Sequence, residues 1–184
     1  LAAAIKRINP DQVICGGGPH FTIQKEKAML PQFDYGFLGE AEDSLPEFLN
    51  VLSSSKHLGQ VKGIMYRDDG GIVSTGERWV KLETMTKKEL HGEYPLDRFP
   101  FPARHLLNMR HYKLGTPNGR DYFTSLQTAR GCQWRCIFCC SDSLKTTRYL
   151  MKSPKRVVEE MQDIAEHYPF VKHIYIVDDV LTFW

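Results

Sequence analysis

No apolar run in this chain approaches the roughly 20 residues that a membrane-spanning helix needs, and no signal peptide opens it. Neither sign of charge dominates. The 24 Lys and Arg against 22 Asp and Glu leave a formal charge of +2, which gives no push toward nucleic acid or a membrane surface. Internal repeats and low-complexity tracts are missing too, so neither a solenoid nor a disordered tail is expected. Cysteine is scarce: of 5 in 184 residues, all but Cys15 fall within "CQWRCIFCC", 132–140. The default setting is cytoplasmic and reducing, where clustered cysteines bind metal or do chemistry more often than they form disulfides. What is present is an ordinary globular balance, 42% hydrophobic and 25% charged, long enough for one sizeable domain or two small ones. The first residue is Leu1, inside an apolar helical pattern, and the last stretch, "IVDDVLTFW", carries no turn or cap signal. Both ends read as cut, and the sequence is expected to be an internal piece of a longer protein.

The first third alternates helix and strand. "LAAAIKRI" (1–8) reads as the end of a helix, "NPDQ" as a turn and "QVIC" (12–15) as a short buried strand followed at once by "GGGP" (16–19). "TIQKEKAML" (22–30) fits a helix and "DYGFLGE" (34–40) a strand. "AEDSLPEFLNVLSS" (41–54) sets Leu45, Phe48, Leu49 and Leu52 on one helical face. This order implies parallel βαβ units, the second half of a doubly wound α/β domain. The texture then changes. "VKGIMYRDDGGIVSTGE" (61–77) is a hairpin signal around Asp-Asp-Gly-Gly, and the proline-rich 81–108 reads as an ordered linker. A second α/β unit begins near Tyr122. "YFTSLQTAR" is a strand, with the cysteine loop leaving its C-terminal end. In "SPKRVVEEMQDIAEHYP", Ser153 is the N-cap, Pro154 the first helical residue, and Val157, Met161, Ile164, Ala165 and Tyr168 the apolar stripe. "HIYIV" (173–177) is a buried strand ending at Asp178-Asp179. Ligands of parallel α/β folds gather at that end of the strands, which puts the cysteine loop and the acidic pair on one rim.

The spacing of the thiols is Cys132-x3-Cys136-x2-Cys139. A structural zinc or an electron-transfer cluster normally has four closed ligands. Three thiolates on a four-iron cluster leave one iron open, which suits catalysis, and thiolates are the soft donors that iron–sulfur chemistry wants. Other readings stand beside this one. A zinc half-site could be completed by a distant ligand, Cys140 could be a bystander or a reactive thiol, and the acidic pair could cap a following helix. Cys15 reads as a core residue.

The C-x3-C-x2-C pattern with an aromatic before its third cysteine, here Phe138, resembles the radical S-adenosylmethionine (radical SAM) superfamily. "ARGC" before it and "SPKRVVEEM…HIYIVDD" after it resemble that family's first βα unit and second strand. The resemblance implies that Cys132, Cys136 and Cys139 carry a [4Fe-4S] cluster and that Phe138 lies near the adenine of S-adenosylmethionine (SAM). Asp178 and Asp179, as "VDD", take the place of the family's more widespread "GGE" and hold the methionyl amino group, with Arg148 and Ser153 also near SAM. "IKRINPDQVICGGGPH…FDYGFLGEAEDSLPEFL" resembles the cobalamin-binding domain that often precedes a radical SAM core, and "LDRFPFPARHLL" is similar to the segment joining them. Gly16, Gly17 and Gly18 would then line the nucleotide tail of the corrinoid, and Gly39-Glu40 the neighbouring loop. The glycine run by itself serves a tight turn equally well. The cobalt-ligating "D-x-H-x-x-G" of that family would lie upstream of Leu1, and His20 reads as an exposed loop residue.

The implied organisation is a partial cobalamin-binding Rossmann-like domain over 1–58, a β-hairpin and linker over 59–121, and the first βαβ unit of a partial TIM-like barrel over 122–184. The implied function is reductive cleavage of SAM to methionine and a 5′-deoxyadenosyl radical, which abstracts hydrogen from an unactivated carbon of a small-molecule substrate. Cobalamin would serve methyl transfer, cyclisation or rearrangement, and a flavodoxin- or ferredoxin-type donor would supply the electron. No further catalytic side chain is assigned. One alternative is a methylthio-transferring radical SAM enzyme, which normally brings three more cluster cysteines upstream, where this chain has Cys15. The other is a non-enzymatic cysteine-cluster module, which predicts a closed four-ligand site.

Overall fold

The computed structural model describes residues 1–54, 57–79, 94–117, 119–141, 143–144 and 149–181, and the chain divides into two units, Leu1–Lys81 and Leu82–Trp184. In the first unit α1 (Ala2–Ile8) ends in Lys6 and Arg7, cations that suit the negative end of a helix. Lys6 also reaches Asp34, at 2.9 Å, whose other role is to accept the Ile14 amide at 2.7 Å. Burial alone would raise the Asp34 carboxyl, but the Ile14 N–H and the Lys6 ammonium hold it below its ordinary value. The short β1 (Cys15–Gly16) runs parallel to β2 (Tyr35–Phe37), with Cys15 opposite Tyr35 and Gly16 opposite Gly36. Between them α2 (Pro19–Gln24) starts on Pro19 right after Gly18, and a 3-10 turn, Lys25–Ala28, follows it. The helix expected over 22–30 is therefore earlier and shorter, because Pro at the first helical position fixes the start. "QVIC" is not the buried strand expected: only Cys15 of it pairs, and Cys15 is exposed rather than in the core.

The first unit's core is aromatic. Phe48 of α3 (Ser44–Leu52) is buried against Tyr35 and Phe37 in edge-to-face contacts at 4.7 and 5.4 Å. Leu45, Leu49 and Leu52, read with Phe48 as one helical face, are exposed. The hairpin forms as expected, β3 (Ile64–Asp68) turning through Asp69-Gly70 into β4 (Gly71–Ser74). It adds to β2 in antiparallel fashion, so the sheet is mixed, in the order β1-β2-β3-β4.

In the second unit, the part of the linker expectation that falls on 80–93 lies outside the described residues. Residues 94–111 form 3-10 turns that bury Leu96, Arg104 and Met109. A hairpin follows that sequence reading did not anticipate, β5 (Lys113–Thr116) pairing antiparallel with β6 (Gly119–Leu126). The two-residue β7 (Ala129–Arg130) and β8 (Leu150–Met151) pair across the base of the cysteine loop. Helix α4 (Pro154–His167) begins as expected, the Ser153 hydroxyl accepting the Arg156 amide at 3.0 Å. It leads to β9 (Val171–Ile176), which is parallel to β6, completing one βαβ unit. β9 is not buried as expected. It is an edge of the β5-β6-β9 sheet, and Ile174, Tyr175 and Val177 are exposed.

The second unit is pinned by buried charge. Glu160, 0% exposed, accepts from Arg104 and Lys152 at 2.7 and 2.6 Å. Arg104 also donates to Thr124 Oγ1 at 3.2 Å and the Ser125 carbonyl at 2.7 Å of β6. One buried carboxylate thus ties the segment before the sheet, the strand after the cysteine loop and the crossover helix together.

Candidate metal and cofactor site

The cysteine loop leaves the C-terminal end of β6 and returns at β8. Its two ends are held by residues 178–180, shortly after β9. Asp178 Oδ1 accepts the Thr128 and Ala129 amides at 2.8 and 3.0 Å, and Asp178 Oδ2 accepts the Thr128 hydroxyl. Asp179 Oδ2 accepts the Gly131 amide at 3.0 Å. At the far end, the Tyr149 hydroxyl donates to the Val180 carbonyl at 2.9 Å, and burial together with the nearby Asp178 charge raises its phenol. The Lys152 amide closes the base on the Thr128 carbonyl at 2.8 Å. Cysteine loop and acidic pair therefore do share one rim of the sheet.

Within the loop, the Cys139 amide donates to the Cys136 carbonyl at 2.9 Å, a single tight turn. Cys132 is partly exposed; Cys136, Cys139 and Cys140 are exposed. Phe138, at 89%, stands out into solvent, and Ile137 is fully exposed. Among the described residues no three His, Cys, Asp or Glu side chains converge as a metal-holding group, so the expected ligands share a loop without their sulfurs being gathered. Their chemistry nevertheless suits iron–sulfur ligation. Residues 131–141 carry neither helix nor strand, so no backbone ladder opposes convergence. Cys139 has a hydroxyl beside its sulfur. The Ser141 hydroxyl, 3.1 Å from its sulfur, and the Ser141 backbone hold its thiol below the ordinary value against partial desolvation and the Asp179 charge. Ser153, expected near SAM, has its hydroxyl committed to the α4 cap and its amide to Asp97 at 2.8 Å. Arg148 lies outside the described residues.

In the first unit the two expected glycine loops sit at the C-terminal ends of the neighbouring parallel strands β1 and β2. Their glycines have different reasons. A Cβ on Gly16 would fall 2.0 Å from the Phe21 ring, and one on Gly39 would fall 2.1 Å from the Arg78 carbonyl, so both make room for the protein itself. Gly18 leaves backbone open, at φ +84° with nothing within 4 Å of a Cβ, and at Gly17 a Cβ would make only an ordinary 3.4 Å contact with Phe37. That open stretch is the part fitted to a ligand's close approach. Glu40 donates its amide to the Arg78 carbonyl at 2.7 Å. Sequence reading missed Thr22. Buried, it donates to the Gly18 carbonyl at 3.1 Å and accepts the Gly39 amide at 2.9 Å, joining the two loops. The available signal was a threonine four residues after Gly18, placed to bond back along a helix.

No family model matches the chain. It is similar to an uncharacterised methyltransferase of Pyrococcus horikoshii, 30% identical over 186 residues that are 99% of this chain and 36% of the relative. Among solved structures it is similar to the radical S-adenosylmethionine methyltransferase TsrM of Kitasatospora setae, with cobalamin and a [4Fe-4S] cluster bound. There the TM-score is 0.62 at 21% identity, over 97% of this chain and 33% of that one. A second is the cobalamin-dependent S-adenosylmethionine radical enzyme OxsB with aqua-cobalamin and S-adenosylmethionine bound. There the TM-score is 0.58 at 21% identity, over 96% of this chain and 22% of that one. The chain spans about a third of the length of the curated relative.

Proposed function

We propose that this chain, which belongs with the radical SAM proteins that carry a cobalamin-binding domain, is the part of such an enzyme where its two cofactor sites begin. The observation that carries this is the C-x3-C-x2-C loop, rising from the C-terminal end of β6 and held by residues 178–180 at the same end of the parallel β9. Residues 1–58 are read as the partial cobalamin-binding domain, 59–121 as the hairpin and linker, and 122–184 as the start of the radical SAM core. Cys132, Cys136 and Cys139 would hold a [4Fe-4S] cluster, and Gly17 and Gly18, with the Gly39-Glu40 loop beside them, would face the corrinoid. When bound, the cluster supplies the electron for reductive SAM cleavage and the corrinoid a transferable methyl group.

The work of the chain is placement. Cys139, whose thiol Ser141 holds below its ordinary value, is one of the three ligands. Phe138 offers an exposed ring for an adenine, and Asp179 an acceptor for a cationic amine. Asp179 spends one oxygen on Gly131, and its other oxygen takes no hydrogen bond among the described residues. A charge-assisted bond of that kind is roughly twice as strong as a neutral one. Methyl transfer to a small molecule is the reaction favoured, because the curated relative is a methyltransferase and TsrM is a methyltransferase. The electron donor is read as a flavodoxin- or ferredoxin-type protein.

The test is anaerobic turnover by the full-length protein containing this chain, with SAM, a strong reductant and added cobalamin. 5′-Deoxyadenosine or S-adenosylhomocysteine should accumulate in step with methylation of a substrate, and cobalamin should co-purify in stoichiometric amount. Product formation that is indifferent to cobalamin would exclude the corrinoid-dependent reading and favour another radical SAM chemistry.

A further inference from the structure

Asp178 stands in the place from which a ligand-binding acid would act, yet both of its oxygens are spent on the chain itself. Three donors converge on it from two adjacent residues, Thr128 N, Thr128 Oγ1 and Ala129 N. Thr128 lies between β6 and β7 and Ala129 opens β7, just before the cysteine loop, and the Thr128 carbonyl receives the Lys152 amide from the loop's other side. Asp179 and Val180 add one bond to each end, from Gly131 and Tyr149. Five hydrogen bonds thus cross from the stretch after β9 to the two ends of one loop.

Resting on the reading of that loop as a cluster site, we propose that Asp178 is a positioning residue for the cysteine loop. It fixes where Cys132 leaves the sheet, and ligand contact falls to Asp179. A carboxylate suits the task better than a hydroxyl. It accepts through both oxygens, and bonds from backbone N–H to an ionised acceptor are the stronger class. Asn in the same place keeps one acceptor for the two amides, while its NH2 can donate to the Thr128 hydroxyl in place of accepting from it. Ala keeps nothing.

The experiment uses the full-length protein, first free of metal. Hydrogen exchange is followed in peptides spanning 127–131 for the parent, Asp178→Asn, Asp178→Ala and Thr128→Val. Asp178→Ala should speed exchange there by roughly tenfold or more, Asp178→Asn should leave it near the parent, and Thr128→Val should fall between. After reconstitution, iron and sulfide per chain should drop several-fold in Asp178→Ala and recover in Asp178→Asn. SAM affinity per assembled cluster should match the parent in both. Parent-like exchange in Asp178→Ala with SAM binding weakened tenfold would overturn the proposal and make Asp178 a ligand contact. If Asp178→Ala is insoluble, unchanged exchange at 127–131 in Thr128→Val overturns it equally. A parent that assembles no cluster defeats the functional reading and leaves the exchange result to decide this one.

Discussion

A single methyl group at Gly16 would land inside the Phe21 ring, with ring carbons at 2.0, 2.4 and 2.7 Å. Phe21 is itself buried with Met29, Leu38 and Met65. Gly16→Ala should therefore destabilise the first unit by about 1–3 kcal/mol through overpacking, read as a lower chemical-unfolding midpoint with unchanged slope. Gly17→Ala should be mild, since a Cβ there meets Phe37 at an ordinary 3.4 Å. This distinction was not legible in "GGGP". Three identical letters carry no record of which one lies under an aromatic ring, because that depends on where the following helix places Phe21. Asp178 and Asp179 were legible in kind and position. Their donors were not, since the amides of Thr128, Ala129 and Gly131 reach them only once β6 and β9 pair.

At the scale of elements, local chemistry was readable and burial was not. Ser153-Pro154 marks the start of α4, and Asp-Asp-Gly-Gly marks a hairpin, because each depends on a few neighbouring residues. The run "HIYIV" and the leucines of α3 are apolar in sequence, yet Ile174, Tyr175, Leu45, Leu49 and Leu52 are exposed. What covers a face is a property of the other elements, and here β9 is a sheet edge. The paired two-residue strands β7 and β8 are too short to leave a pattern. Glu160 was hidden for the opposite reason: a charged residue on a helix reads as a solvent face, yet it is completely buried between Arg104 and Lys152. Removing its charge leaves Arg104, 5% exposed, without its ion partner. Glu160→Ala should cost about 3–5 kcal/mol in the second unit. The double change Glu160→Leu with Arg104→Met should recover part of that, because the more deeply buried of the two cations is removed with its partner, while Lys152, 14% exposed, still loses its own. Equal losses for the single and double variants would show that packing rather than charge pairing sets the cost.

Across the whole molecule, two glycine loops on one parallel strand pair and a thiol loop on another have the same placement, the C-terminal ends of strands in a βαβ arrangement. That common placement, together with the thiol spacing, made the kind of protein readable from sequence. The fine geometry of the thiols was not readable, because a loop without helix or strand takes its shape from what it binds and from its anchors. The central claim is that Cys132, Cys136 and Cys139 hold an iron–sulfur cluster with one iron left for SAM. It is tested most directly by electron paramagnetic resonance of the reduced, reconstituted full-length protein with and without SAM, alongside iron and sulfide analysis. The account predicts the stoichiometry and signal of a [4Fe-4S] cluster, a change in that signal on adding SAM, and loss of both in Cys132→Ala, Cys136→Ala and Cys139→Ala but not in Cys140→Ala or Cys15→Ala. A cluster that persists without Cys136 and disappears without Cys140, or a signal indifferent to SAM, would contradict it.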